Sequence, residues 1–386
     1  MKYQIPHRFH SLDIIRGMAA ISVVFWHWQH FFYDGSLPRE FITQNQPFYS
    51  VFFLLYHKGW LAVDFFFSLS GFIFFWLYAK NINEKNISNW HFFVLRFSRL
   101  YPLHIVTFIY VLLAQILFFS EYKDYFVYPN NDFYHAILHL FLAPNWGFEK
   151  GWSFNAPVWS VSIEILVYAL FFVACLNFKM NLRFSLILIV FGLLIFEIRP
   201  VLGRGIFSFF IGGLTYISYL QICQRDWVKK TLYFLLVTVI FLWISVFFET
   251  KFNWFWPVFY TTLSSQLPSE WHSFVGELTA RGAVLFVTAL LFPLTIMCAA
   301  LIETWRGSFC EKFIFLGNIS YSSYLLHFPI QLVFFVLAAK FNFGQEFFYT
   351  QKSMLIYFLI LIPACLASYY LFERPVQRLL RGFLLR

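Results

Sequence analysis

Runs of roughly 20 apolar residues, the length needed to cross the hydrocarbon core of a bilayer, recur along the whole chain. Ten such windows can be drawn: Leu12 to Phe32, Trp60 to Tyr78, Leu100 to Phe119, Pro157 to Leu176, Phe184 to Ile198, Ile206 to Leu220, Leu232 to Phe248, Ala283 to Ile302, Ile319 to Ala339 and Met354 to Phe372. The fifth and sixth are short and invite tilting or breakage. Between the windows lie polar, aromatic and Pro/Gly-rich pieces, of which Tyr33 to Gly59, Glu121 to Ala156 and Glu249 to Gly282 are the longest. Sequences such as Tyr128-Pro129-Asn130-Asn131 suit interfacial lids or re-entrant pieces better than a separate soluble domain. The pattern predicts an all-α polytopic membrane protein, a bundle of about ten transmembrane helices, with no internal repeat.

Composition agrees. Hydrophobic residues make up 60% and charged residues 12% of the 386 positions, whereas soluble domains carry about 25% charged residues. The net charge of +9 reads as a topology signal. With the N-terminus inside, most of the 28 lysines and arginines fall in inner segments or at their rims, including Lys2, Arg8, Lys80, Lys85, Arg96, Arg99, Lys229, Lys230 and the tail from Arg374 to Arg386. That bias places both termini in the cytoplasm. No soluble basic domain exists to carry nucleic-acid contacts. The first apolar run begins late, carries Arg16 and is read as a retained span. Cys175, Cys223, Cys298, Cys310 and Cys365 show no close pairing, so neither a disulfide framework nor a metal site is expected.

Polar groups inside the apolar runs are the informative positions, because ionisable side chains in hydrocarbon are costly and mark sites or cavities. Arg16 and His27 stand eleven residues apart in the first run, nearly a whole number of turns, so they share a helix face about 16 Å apart at about 1.5 Å per residue. Arg96 and Arg99, three residues apart before the third run, are suited to fork around one phosphate. The competing reading is a pair of topology anchors that snorkel to lipid head groups. Glu164 is a buried acid flanked on its face by Ser160 and Tyr168, and it calls for a cation or hydrogen-bond donors to offset desolvation. Asp64 is less telling, since it suits the outer interface. Ser320, Ser323, Tyr324 and His327 form one helical stripe, either as chemistry or as inter-helix glue. These residues fit an enzyme that binds a phosphorylated cofactor from the cytoplasm and performs acid/base work at mid-membrane. They equally fit a proton-coupled exporter using His27 and Glu164 as relay groups.

In order, the motifs resemble those of the acyltransferase-3 family of integral-membrane acyltransferases. The matching pieces are Leu12-Asp13 with Arg16-Gly17 and His27, then Phe66-Phe67-Ser68-Leu69-Ser70-Gly71-Phe72, then Arg96-Phe97-Ser98-Arg99-Leu100-Tyr101-Pro102. Asn155, Pro157-Val158-Trp159-Ser160 and Glu164 follow, then Phe209-Phe210-Ile211-Gly212, the stretch from Gly317 to Pro329, and Phe372-Glu373-Arg374-Pro375. Each piece is weak alone, and the ordered set is strong.

The resemblance implies a single transmembrane domain over residues 8–376 with a short basic cytoplasmic tail over 377–386. It implies an enzyme of the bacterial inner membrane that moves acetyl from cytoplasmic acetyl-CoA to a hydroxyl of a cell-surface glycan or its lipid-linked precursor, with no metal. Arg96 and Arg99 would meet the phosphates of coenzyme A, with Arg16 assisting or holding its helix. His27 would be the general base or a transient acyl carrier. Glu164 would orient an imidazole or guanidinium. Ser70, Trp159, Ser320, Tyr324 and His327 are the candidates on the substrate side, and Gly71 would admit a close backbone approach. The hydrolase-like extracytoplasmic domain of some relatives is not seen, which leaves room for a separate partner. O-antigen, capsule, exopolysaccharide, peptidoglycan and small glycosides are all compatible acceptors.

Overall fold

A computed structural model describes residues 3–308 and 311–386, so that Lys2 and Cys310 lie outside the described residues. The chain folds into helices α1 (His10–Trp26), α2 (Tyr49–Asn83), α3 (Asn89–Tyr122), α4 (Phe133–Leu140), α5 (Ala156–Asn177), α6 (Leu182–Ile198) and α7 (Pro200–Gln224). They are followed by α8 (Val228–Phe252), α9 (Phe255–Ser264), α10 (Ser269–Arg306), α11 (Ile314–Asn318), α12 (Ser320–Lys340) and α13 (Gln351–Leu384). A small hairpin pairs Tyr33–Asp34 with Leu37–Pro38. All ten apolar windows fall on helices, and eight of these helices are long and apolar enough to cross a membrane: α2, α3, α5, α7, α8, α10, α12 and α13. The other two windows map to α1 and α6, each 17 residues long. The protein is an all-α polytopic membrane protein.

Local sequence sets several helix starts. Ser88, Asp132, Asn181 and Thr350 each accept a hydrogen bond from the backbone amide three residues on, capping α3, α4, α6 and α13, which satisfies one of the orphan donors at a helix N-terminus. α1 is capped from a distance. The buried Glu303 carboxylate of α10 accepts from the amides of His10 and Ser11, both at 2.9 Å, and from Ser11 Oγ at 2.7 Å. A carboxylate at that position also complements the helix dipole.

The central helices pack through small residues. A Cβ on Gly71 of α2 would collide with the carbonyl oxygen of Phe209 in α7, and a Cβ on Gly212 of α7 would collide with that of Ser68 in α2. The two backbones therefore touch reciprocally, as small-residue interfaces in membranes permit. About two thirds of the apolar window of α2 is buried, but only 22% of that of α8 and 17% of that of α13, which makes α2 an interior helix and leaves α8 and α13 facing lipid. The segment expected as a tail continues α13: Arg381 donates to Ser98 Oγ at 3.1 Å and Trp90 Nε1 donates to the Leu384 carbonyl at 2.8 Å, tying it to α3. Arg8 and Arg374 line one cavity, so the segments near both termini lie at the same end of the bundle.

Candidate active site

A cavity of about 210 Å³ opens among α1, α2, α3, α5 and α12. Arg16, Arg96 and Arg99 line it together with Ser70, Ser160, Glu164, Tyr168, Ser320 and Tyr324. A second cavity of about 280 Å³ adjoins it at the end bearing the termini and shares Arg16, Ile73, Arg99 and Tyr321 with it. Residues from five separate motifs thus meet around one cleft.

The three arginines differ in how they are held. Arg16 donates to Ser320 Oγ at 3.0 Å and to the Gly317 carbonyl at 2.8 Å, and it pairs with Asp13 at 2.9 Å. It locks α1 onto α11 and α12, a contact close enough that a Cβ on Gly317 would strike the Asp13 backbone. Arg96 donates to the Tyr78 hydroxyl and lies over the rings of Phe74 and Tyr78 at 5.0 and 4.9 Å, a desolvated cation on aromatic faces. A π-helical turn at Phe75–Ala79 carries Tyr78, and the buried Nε of Arg96 has no partner. Arg99 makes no hydrogen bond or salt bridge among the described residues, although it lines both cavities. Arg16 is thus held through Nε and Nη2, Arg96 through one nitrogen and two rings, and Arg99 by no hydrogen bond or salt bridge among the described residues.

Glu164 accepts hydrogen bonds from Ser70 Oγ at 3.0 Å and from the Tyr168 hydroxyl. Among the described residues the hydrogen-bond partners of Glu164 are hydroxyls, and no imidazole or guanidinium is hydrogen-bonded to it. Tyr324 shares a hydrogen bond with Ser160 at 2.7 Å and donates to the Pro157 carbonyl at 2.8 Å, closing the deep end of the cleft.

His27 and His327 lie beyond Tyr324 and do not line the cleft. The α-helix expected through Phe32 gives way after Trp26 to a 3₁₀ turn over His27–Phe32, so His27 sits at the junction. Arg16 and His27 nonetheless both reach α12, at Ser320 and His327 respectively. His327 Nδ1 lies 2.7 Å from the Tyr324 carbonyl, and its Nε2 lies 3.1 Å from His27 Nδ1. A carbonyl only accepts, so a neutral His327 carries its proton on Nδ1, and its Nε2 accepts from His27 Nδ1. That assignment leaves the lone pair of His27 on Nε2. Gln331 fixes the neighbourhood by donating to the His27 carbonyl at 3.0 Å and accepting from His30 Nδ1 at 3.2 Å.

Trp159 points away from the cleft. Its ring lies 5.8 Å from the Arg204 guanidinium, which stacks on Trp60 at 5.0 Å and pairs with the buried Asp64 at 2.6 Å. Asp64 is thus buried inside the bundle and paired. Sequence reasoning missed Arg204, His30 and Gln331. His30 and Gln331 were detectable as polar residues within apolar windows, whereas Arg204 falls between the windows ending at Ile198 and beginning at Ile206. Among the described residues no cluster of three or more His, Cys, Asp or Glu could hold a metal.

The profile of a family described as "Acyltransferase domain", the acyltransferase-3 family, matches residues 9–373. The chain belongs to this family. Among similar proteins, "Protein 2 in picA locus" of Rhizobium radiobacter is 37% identical over 106 residues, covering 28% of this chain and 45% of that protein. "Acyltransferase MdmB" of Streptomyces mycarofaciens is 31% identical over 169 residues, covering 42% of this chain and 38% of that protein. "Putative acetyltransferase ORF330" of Acidianus two-tailed virus is 22% identical over 353 residues, covering 89% of this chain and 90% of that protein. The matched stretches thus span less than half the length of the first two relatives and most of the third. No solved structure matches the chain.

Proposed function

We propose that this acyltransferase takes acetyl from acetyl-CoA at the end of the bundle bearing the termini, and delivers it to a hydroxyl of a cell-surface glycan or its lipid-linked precursor at the other end. The reading places the enzyme in a bacterial inner membrane with both termini in the cytoplasm. The observation that carries it is the cleft whose mouth holds Arg96 and Arg99 with free donors, and whose deep wall, Tyr324, hydrogen-bonds through its carbonyl to the histidine pair. Guanidinium groups are matched to the phosphates of a coenzyme. Arg96 and Arg99 bind them, and Arg16 holds α1 in register.

In the transfer step His27 Nε2 takes the proton of the acceptor hydroxyl as its oxygen attacks the thioester carbonyl carbon. The new C–O bond forms, the C–S bond breaks, and the thiolate of coenzyme A leaves and recovers a proton. His327 accepts from His27 Nδ1 throughout, which fixes the tautomer a base requires. Glu164, Ser70 and Tyr168 form a polar wall beside the acyl path.

The test compares cells carrying wild-type protein, His27→Ala protein and no protein at matched membrane levels, with base-labile O-acetyl groups on surface glycans measured by NMR or mass spectrometry. Acetyl present only with wild type supports the reading and identifies the acceptor. Equal acetylation in all three, in a host whose glycan carries the acceptor, contradicts it.

A further inference from the structure

The loop that follows α3, residues 123–131, takes no part in the transfer step above, yet it reaches the histidine junction. It is pinned at several points. The buried Gln115 of α3 donates to the Phe126 carbonyl and accepts from the Phe126 amide, both at 2.9 Å. Asp124 accepts from the Ser36 amide at 3.0 Å and from Ser36 Oγ at 3.2 Å, and the Val127 amide donates to the Gly35 carbonyl at 2.9 Å. Held from both sides, Val127 has a φ of 64°, in the left-handed region that a β-branched residue ordinarily avoids. Such strain persists where the surroundings over-determine the backbone, and it gathers at functional sites. The next residue, Tyr128, is directed inward. Its ring lies 4.8 Å from that of Phe328 in α12 and edge-on to His30 at 5.5 Å, and its hydroxyl lies 3.3 Å from His30 Nε2.

The hydrogen bonds beyond it have one consistent direction. The His27 carbonyl can only accept, so Gln331 turns its Nε2 toward it, at 3.0 Å, and presents Oε1 to His30 Nδ1, at 3.2 Å. That oxygen also only accepts, so His30 carries a proton on Nδ1. His30 is buried with no ion-pair partner among the described residues, and an unpaired buried imidazolium is costly, so its Nε2 keeps a lone pair. The Tyr128 hydroxyl donates to that lone pair. A chain of three hydrogen bonds thus runs from Tyr128 through His30 and Gln331 to the backbone of His27. A second coupling is direct, since the His30 and His27 rings lie 4.8 Å apart. Without the Tyr128 proton, His30 Nε2 would be a buried acceptor left unsatisfied.

We infer that Tyr128 is a positioning residue for the transfer step: from the loop after α3 its hydroxyl fixes the tautomer and orientation of His30, which in turn holds His27. The inference rests on the reading of His27 as the base. It also means that the base is aligned only while this loop is seated against the hairpin and α3.

The test uses Tyr128→Phe in the full-length protein, a change that keeps the ring on Phe328 and removes only the hydroxyl. O-acetyl groups on the surface glycans of cells at matched membrane levels should form about fivefold more slowly than with wild type, within the worth of one neutral hydrogen bond. Acetyl-CoA affinity and the unfolding temperature of the purified protein should match wild type. Histidine-selective 15N NMR in nanodiscs gives the reading that a merely structural role would not move. The His30 Nε2 resonance, assigned by its loss in His30→Asn, should lie in the unprotonated range and shift in Tyr128→Phe. It should not shift in Tyr33→Phe, which removes a neighbouring phenol that makes no hydrogen bond to His30. Wild-type transfer by Tyr128→Phe would overturn the inference. So would a loss of transfer that comes with lower stability or weaker acetyl-CoA binding, or one that leaves the His30 resonance unmoved. Wild-type transfer by His27→Ala would instead overturn the reading of His27 as the base and the inference with it, so the two failures are distinguishable.

Discussion

The arginine cleft and the histidine junction are both polar islands in an apolar bundle, yet they are finished to different degrees. At the junction, both ring nitrogens of His327 and of His30 have partners, Gln331 spans two residues of the turn, and the nitrogen left free in the assigned tautomers is His27 Nε2. In the cleft, Arg96 Nε is buried without a partner, whereas Arg99 is exposed and makes no hydrogen bond or salt bridge among the described residues. Leaving a buried charged donor unsatisfied costs more than an ordinary lost hydrogen bond. A fold that tolerates it at one site while completing another suggests a ligand at the first and preorganised chemistry at the second.

That contrast yields a graded set of expectations. The largest effect is at the junction: His27→Ala should lower acetyl transfer at least 100-fold, within the range general bases contribute, while acetyl-CoA affinity stays at the wild-type level in a direct binding assay. A comparable loss of affinity would erase the distinction between the two regions. Next, Arg99→Ala should weaken acetyl-CoA binding about tenfold or more, since a hydrogen bond to a charged group is worth about 1.5 to 3 kcal/mol and tenfold in affinity is about 1.4 kcal/mol. Calorimetry or fluorescence quenching on the purified protein reads this directly.

Smaller and different in kind is Arg16→Ala. It removes three contacts that join α1 to α11 and α12 and to its own Asp13, so it should lower the unfolding temperature in detergent by several degrees. Arg99→Ala, which breaks no hydrogen bond or salt bridge among the described residues, should leave that temperature within a degree or so. Equal melting behaviour of the two variants would show that Arg16 is as free as Arg99. Smallest is Gln331→Leu, which frees the His27 carbonyl and His30 Nδ1; turnover should fall several-fold with acetyl-CoA affinity unchanged, measured by steady-state kinetics.

The same contrast explains what the sequence revealed. The ten windows and the membership of the cleft were legible because each depends on local information: apolar run length, a helical stripe, or a motif whose residues sit within one turn. Arg16, Ser70, Arg96, Arg99, Ser160, Glu164, Ser320 and Tyr324 were all singled out beforehand, and all line one cavity. Pairings across the bundle were hidden. His27 meets His327 300 positions away, and Asp64 meets Arg204 140 positions away. Nothing in a single sequence marks the partner of a polar residue on another helix. At Glu164 the local donor, Tyr168 one turn on, was legible, whereas Ser70 lies 94 positions away in α2 and was not. The break from α-helix to 3₁₀ turn at His27 has no proline or glycine to announce it. It coincides with the tertiary bonds from α12 that hold the turn.

The central claim is that donor binding and transfer are divided between the two regions. The most direct test is acetyl-CoA affinity measured side by side for wild type, Arg99→Ala and His27→Ala, each purified, folded and matched in amount. The account predicts wild-type affinity for His27→Ala and about tenfold or greater weakening for Arg99→Ala. Equal affinity in all three, or weakening only in His27→Ala, would contradict it.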